Sequence, residues 1–542
     1  MGQVNLASLI LSRETKAEAL ALAIPGATGA LDETVPQITY GELRKRVASL
    51  QRGLARLGLR PGDRVVMLAP ISIDFFALAL ALLGAGQVLV FLDGRLDRRR
   101  LLRVLQAAQP QCVVSVHQAL RFWPLLPTLW NTRRIVTDRD QGGFGTTPLA
   151  SLLVAQARSD EPDEPQVVLQ PEEKSALLSF TSGTTGRPKG ADRTHGILLA
   201  QHLALKAHAP DRNGEIDMPC FPAVVLHNLA CGIGTVLPPI DLRHPGTADA
   251  SRVLAAIQRF GVTSMSGAPA YMNLLCEQIL QGPQKQNAVR RLYIGGAPVS
   301  RRLARRLVQA FPGANAEAVY GSTEAEPMAS VSLAELSDTD GEGYLIGREA
   351  PVANIALVEL PEQAPPLPAD GLASFWVPQG ESGEVLVRGP HVNKHYVGDE
   401  EAVRRYKVRD PDGSLWHRTG DLARRDSQGR LWLTGRLPDR FLHRGKRLLP
   451  FVIEAALVDT VVDIRHAALV AHPAAPEGEL AVSSSKQTSA AVIAAARAVL
   501  SGLGLAAIPV RWVAELPVDA RHNSKIDRPA LREQLAQSGG PR

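Results

Sequence analysis

The chain has 542 residues, of which 45% are apolar and 21% charged, with a net charge of +6. This composition excludes a disordered or fibrous chain, and the small basic excess is too diluted over this length to imply nucleic acid. The length exceeds what one hydrophobic core usually serves, so a large unit with at least one smaller one is expected.

Four cysteines, Cys112, Cys220, Cys231 and Cys276, make no C-x-x-C pair. Reduced thiols and a cytoplasmic location are the expectation. No basic segment followed by an apolar run opens the chain, so no secretory signal is expected. From Tyr40 onward, helix-period segments such as Leu43 to Leu57 alternate with short apolar runs at Arg64 to Leu68, Val88 to Leu92 and Gln111 to Val116. That alternation predicts βα units around parallel sheet. Phe75 to Leu92 is apolar enough for a membrane span, but Gly84, Gly86 and Gln87 divide it into a buried helix and a strand. The run Arg98-Arg99-Arg100 reads as a solvated helix face.

Residues 158–173 read as a surface connection into the strand Ser175 to Phe180, at whose end function is expected to begin. Two proline-rich patches, 361–369 and 473–478, read as loops. Between them, Gly383 to Arg388, Gly429 to Thr434 and the Asp412-Gly413 turn predict an antiparallel, β-rich section. The last ~100 residues read as a small α+β domain.

After the strand Ala176 to Phe180 comes Thr181-Ser182-Gly183-Thr184-Thr185-Gly186-Arg187-Pro188-Lys189-Gly190. Glycines let backbone N–H groups approach phosphate oxygens, hydroxyls add donors, and Lys189 adds a compact charge. The lysine follows proline and precedes glycine, so this is not the G-x-x-x-x-G-K-[ST] loop.

This loop resembles that of the acyl-CoA synthetase, nonribosomal-peptide adenylation-domain and luciferase superfamily, and the resemblance runs nearly the length of the chain. Gly295-Gly296-Ala297-Pro298 resembles its adenine-side loop, and Tyr320-Gly321-Ser322-Thr323-Glu324 its second nucleotide motif. The resemblance implies that Tyr320 stacks on adenine, Thr323 contacts phosphate and Glu324 holds Mg²⁺. Trp416-His417-Arg418-Thr419-Gly420-Asp421 resembles the ribose motif, with Asp421 accepting from both hydroxyls, and Gly435-Arg436 the Gly-Arg pair beside it. Asn523-Ser524-Lys525-Ile526-Asp527-Arg528 resembles the Gly-Lys-Ile-x-Arg motif, with Ser524 in place of glycine. Lys525 would then enter from a lid and neutralise charge as a carboxylate attacks the α-phosphorus.

The resemblance implies an α/β fold of two parts: an AMP-binding domain over 1–436, with βα sheets and a β-rich subdomain, and a mobile α+β lid over 437–542. It implies ATP and Mg²⁺, a small carboxylic acid as substrate, and CoA or an acyl carrier protein as a possible acceptor.

The segment Phe221 to Asn228 would line the acyl site, where Phe221 and His227 are candidates, His227 either lining the pocket or packing. Amino-acid-activating relatives place an Asp here, and none stands between 221 and 231. An aliphatic or β-hydroxy acid is therefore expected. Ile257 to Thr263, Pro517 to Ile526 and Asp217 to Pro222 are similar to the olefin-pathway β-lactone synthetases of this superfamily, which close a β-hydroxy acyl-AMP on its own hydroxyl. Where the family has a flexible hinge residue, two positions after the Gly-Arg arginine, stands Pro438. Proline holds φ at about −65°, which disfavours the lid rotation needed for thioester formation unless Leu437 or Asp439 turns instead.

Overall fold

A computed structural model describes residues 2–12, 17–92, 98–143, 145–154, 164–182, 188–210, 214–242, 244–282, 288–363, 367–484, 490–519 and 524–537. The predicted βα alternation is present. Arg64–Leu68 and Val88–Leu92 are strands, and the helices Tyr40–Arg56 and Ile73–Gly84 pack beside them. Thr39 and Glu42 form a capping box at the start of the first of these helices, so two otherwise unpaired N–H groups there have acceptors.

Eight strands form one sheet in which Ser175–Ser182 lies between Val88–Leu92, parallel to it, and Pro188–Thr194, antiparallel to it. The pairing Thr181↔Lys189 places both ends of the hydroxyl- and glycine-rich segment at one sheet edge. Gly183, Thr184, Thr185, Gly186 and Arg187 lie outside the described residues, and of Thr181 and Ser182 only the backbone is described.

In a second sheet Ser264–Gly267, Arg291–Ile294 and Asn315–Ser322 run parallel. The register Gly267↔Ile294↔Ala318 aligns their carboxyl ends, and Gly295 and Tyr320 emerge from that edge. Ligands of open α/β sheets gather at such edges. The same sheet continues into the antiparallel strands Ser382–Arg388, Leu415–Arg425 and Leu431–Arg436. Near the C-terminus, Ile464–His472, Ala475–Ser484 and Val510–Trp512 make a three-stranded sheet with its own apolar cluster, which includes Ile453, Leu457, Leu469 and Leu480.

One expectation is corrected. The patch 473–478 is largely strand, because His472 pairs with Ala475 across a two-residue turn. Pro476 is tolerated because the register shifts between Val470 and His472, a bulge that asks no ladder N–H of it.

Candidate active site

Cross-strand pairing sets one end of the site. Asp421 stands opposite Arg436, and the Arg436 Nε lies 2.8 Å from Asp421 Oδ1. From the strand Asn315–Ser322, farther along the same sheet, Tyr320 donates its hydroxyl to Asp421 Oδ2 at 2.8 Å. Burial, then the Asp421 charge, keeps the Tyr320 phenol well above its ordinary value, so it stays a neutral donor. Gly420 has φ +73°, and the Asp421 N–H donates to Thr419 Oγ1 at 3.0 Å. Each Asp421 oxygen therefore has one partner and keeps lone-pair capacity for another donor.

Four residues along each segment lies the other end: Glu324 follows Tyr320, and His417 precedes Asp421. Tyr396 donates its hydroxyl to Glu324 Oε1 at 3.0 Å, and the Glu324 carbonyl accepts from the Asn393 N–H at 2.7 Å. Lys189 is buried, with its Nζ 3.5 Å from the Tyr406 ring centre. Lys407, also buried, donates to the Asn393 carbonyl, and its Nζ lies 5.0 Å from the Tyr396 ring centre. At Gly190 any side chain would strike the Phe180 ring, which would lie 2.8 Å from an added Cβ, so glycine is required beside Lys189.

Charge follows from this packing. Burial raises the Glu324 carboxyl, but His417 whenever its ring is protonated, Lys407 and the Tyr396 hydrogen bond outweigh it, leaving Glu324 lowered from its ordinary value. Burial drives Lys407 down to about 7, opposed by Glu324 and reinforced by Lys189. Burial, with Lys407, drives His417 down to about 3, so at neutral pH His417 is uncharged and the charge that acts on Glu324 is that of Lys407. Tyr396, Tyr406, Lys407 and Asn393 were not legible as site residues. They come from 393–407, a stretch with no recurrent spacing, and only folding sets them against Glu324. His417 lay inside a recognised motif, but its role as a buried neutral neighbour of Lys407 did not follow from that motif.

Gly296 takes φ +83° in the loop after Arg291–Ile294, so Gly296, Ala297 and Pro298 are half-buried at the same sheet edge as Tyr320. Gly321 is packed against Glu326, whose Cγ would lie 3.0 Å from an added Cβ, and Thr323 is half-buried between Ser322 and Glu324. The turn bearing Lys525 meets that edge too. Ser524 Oγ accepts from the Ala270 N–H at 3.2 Å, at the start of the helix that follows Ser264–Gly267. Asp519 Oδ1 accepts from the Lys525 N–H at 2.8 Å, which shapes the turn, while the Lys525 side chain is exposed. The serine that replaces the family's glycine thus supplies a docking bond. Further docking comes from Arg301, 2.8 Å from Asp459, and from Arg302, which donates to the Val461 and Val462 carbonyls at 2.9 Å.

Pro438 is exposed in the short 3₁₀ turn Leu437–Asp439. Asp439, next to it, is buried and ion-paired to Arg532 at 2.7 Å and to Arg528 at 3.3 Å, so it is poorly placed to turn freely. Phe221 is half-buried before the helix Val224–Cys231, and His227 on that helix faces His202 and Cys231. The buried Asp217 accepts from Asn228 at 2.8 Å. Among the described residues, no helix is long and apolar enough to cross a membrane.

Known proteins match this architecture. The family model described as AMP-binding enzyme matches residues 18–397. The chain is 32% identical to an olefin beta-lactone synthetase of Stenotrophomonas maltophilia over 96% of each chain. It is 30% identical to the olefin beta-lactone synthetase of Xanthomonas campestris pv. campestris, over 97% of this chain and 96% of that one. A solved anthranilate CoA ligase, AuaEII, in complex with anthranoyl-AMP, superposes with a TM-score of 0.79 at 20% identity, covering 99% of this chain and 98% of that one. The chain belongs to the AMP-binding enzyme family and is an adenylate-forming, ATP-using ligase with a mixed α/β fold.

Proposed function

We propose that this enzyme activates an aliphatic or β-hydroxy carboxylic acid as its acyl-AMP and then closes the β-hydroxy acyl chain to a β-lactone. Chain-long similarity to two olefin beta-lactone synthetases is the observation that carries this reading. In the first step a carboxylate oxygen bonds to the α-phosphorus, the bond to the β-phosphate oxygen breaks, and pyrophosphate leaves. In the second, the substrate hydroxyl oxygen bonds to the acyl carbon, AMP leaves, and the hydroxyl proton goes to water. The hydroxyl is already part of the bound acid, so orientation replaces a second encounter.

In this reading Tyr320 and the loop Gly296-Ala297-Pro298 hold adenine, with Gly321 giving close backbone approach. Asp421 and Arg436 hold the ribose. Thr181, Ser182, Gly183, Thr184, Thr185, Gly186, Thr323 and Lys189 surround the phosphates. Lys525, on a lid spanning 437–542, places positive charge where it develops. Glu324 fits a magnesium ion, being an ionised hard-oxygen donor at the phosphate end of the site. When bound with ATP, Mg²⁺ would offset phosphate charge. Phe221 and His227 belong to the acyl side, and a cytoplasmic setting fits four reduced, buried cysteines.

A thioester-forming ligase, acting on CoA or a carrier protein, is the second reading, favoured by the fold shared with the anthranilate CoA ligase. Pro438 and the Asp439 clamp disfavour the rotation that reading needs. The test incubates the enzyme with ATP, Mg²⁺ and 3-hydroxy fatty acids, with and without CoA, and identifies products by mass spectrometry. A CoA-independent product lighter than the acid by one water is expected. Efficient thioester synthesis by the wild type, undiminished relative to Pro438→Asp, overturns the lactone reading in favour of the ligase.

A further inference from the structure

Two helices bring together three donors, of which the adenylation reading uses only His227, on the acyl side, and gives His202 and Cys231 no task. His202 is buried on the helix His195–His208, which directly follows the strand bearing Lys189. His227 and Cys231 lie four residues apart on the helix Val224–Cys231 and so share one face. One ligand atom from each of the three residues lies within 4.8 Å of the other two.

We propose that His202, His227 and Cys231 form a binding site for a divalent transition-metal ion, with Zn²⁺ the best match. His227 Nδ1 lies 3.1 Å from His202 Nδ1, and Cys231 Sγ lies 3.6 Å from His227 Nε2. Ligands arranged tetrahedrally around zinc, with bonds of about 2.0–2.3 Å, stand roughly 3.3–3.6 Å apart. The observed spacings bracket that range. Two ring nitrogens facing each other can share a single proton or a single cation. Without an ion the three groups form a chain running thiol, imidazole, imidazole. His227 offers an ion only one nitrogen, so binding keeps one link of the chain as a tetrahedral edge, and a ring or thiol rotation must close the other from a present separation within 4.8 Å.

Donor chemistry selects the metal. Two imidazoles and a thiol with no carboxylate suit zinc or its borderline-soft neighbours and not magnesium or calcium, which take oxygen. Binding replaces the Cys231 thiol proton, which is released to solvent, and three protein ligands leave a fourth position for water. Cys231 lies against an imidazole ring, its Sγ 3.6 Å from His227 Nε2. An ion here would join the helix behind Lys189 to the helix behind Phe221, and this inference does not depend on which acid the enzyme activates.

The test uses the full-length protein, stripped by chelator and titrated with Zn²⁺ alone against a chromophoric indicator. One ion per chain is expected, with Cys231→Ser and His202→Gln each weakening binding roughly tenfold or more. Co²⁺ in place of zinc should give a thiolate charge-transfer band that Cys231→Ser abolishes. Circular dichroism checks that the variants fold, and Cys231→Ser changes a single atom. Wild type that takes up no more zinc than the His202→Gln/Cys231→Ser double variant overturns the proposal and leaves a hydrogen-bonded chain only.

Discussion

Lys189 and Lys407 are buried against the Tyr406 and Tyr396 rings, with Lys407 near the Glu324 carboxylate, whereas Lys525 is exposed on a turn attached to the sheet edge by Ser524. The buried pair is fixed by core packing and needs no ligand to hold it in place. Lys525 is delivered by docking, so its position depends on a few polar contacts that can be made and broken. On the proposed reading, a site built this way keeps its phosphate end formed and its reacting cation adjustable. A buried lysine pays desolvation, visible in Lys407, while an exposed one keeps its charge at no such cost.

The strongest test of that contrast is Lys525→Ala. On the role proposed for Lys525, removing its charge should slow pyrophosphate release by roughly 10²–10³-fold. Its thermal transition should match wild type because the side chain is exposed; near-normal release would mean the docked turn is not catalytic. Asp421→Asn comes next. Losing a charge-assisted partner worth about 1.5–3 kcal/mol should weaken ATP binding roughly ten- to a hundredfold by calorimetry, and unchanged binding would remove Asp421 from the nucleotide site.

Arg302→Ala should act on docking alone, lowering the adenylation rate by only roughly two- to tenfold while ATP affinity stays constant. A loss of ATP affinity instead would show that the two regions are not separable.

A separate effect is on stability against pH. Burial holds His195 at about 4 and His417 at about 3, below the ordinary 6.5, so the folded state refuses protons that the unfolded chain accepts. Their contribution is complete above pH 6.5 and falls away as pH drops toward 4 and then 3. Denaturant midpoints measured across that window should fall with acid, and His417→Gln should make the fall shallower. An unchanged slope would place the acid sensitivity elsewhere.

Much of the fold was legible because its signals are local. Apolar runs bounded by turn residues located Arg64–Leu68 and Val88–Leu92 residue for residue. The patch 473–478 misled because proline is an ambiguous sign in a strand: it marks a loop unless a bulge spares it the ladder bond, and only the partner strand decides which.

By itself the sequence determined which chemical groups the chain carries and their order: the hydroxyl- and glycine-rich segment ending in Lys189, the Tyr320 to Glu324 motif, Asp421, Arg436 and Lys525. Tertiary structure decided which of them meet. Strand register set Asp421 opposite Arg436, the parallel edge brought Gly295 against Val319, next to Tyr320, and packing brought Lys407 and Tyr396 from outside any motif to Glu324. It also placed His202 against His227 from a different helix. The reason is physical: backbone preferences act over a few neighbours, whereas burial and charge act through space between segments that the sequence keeps far apart.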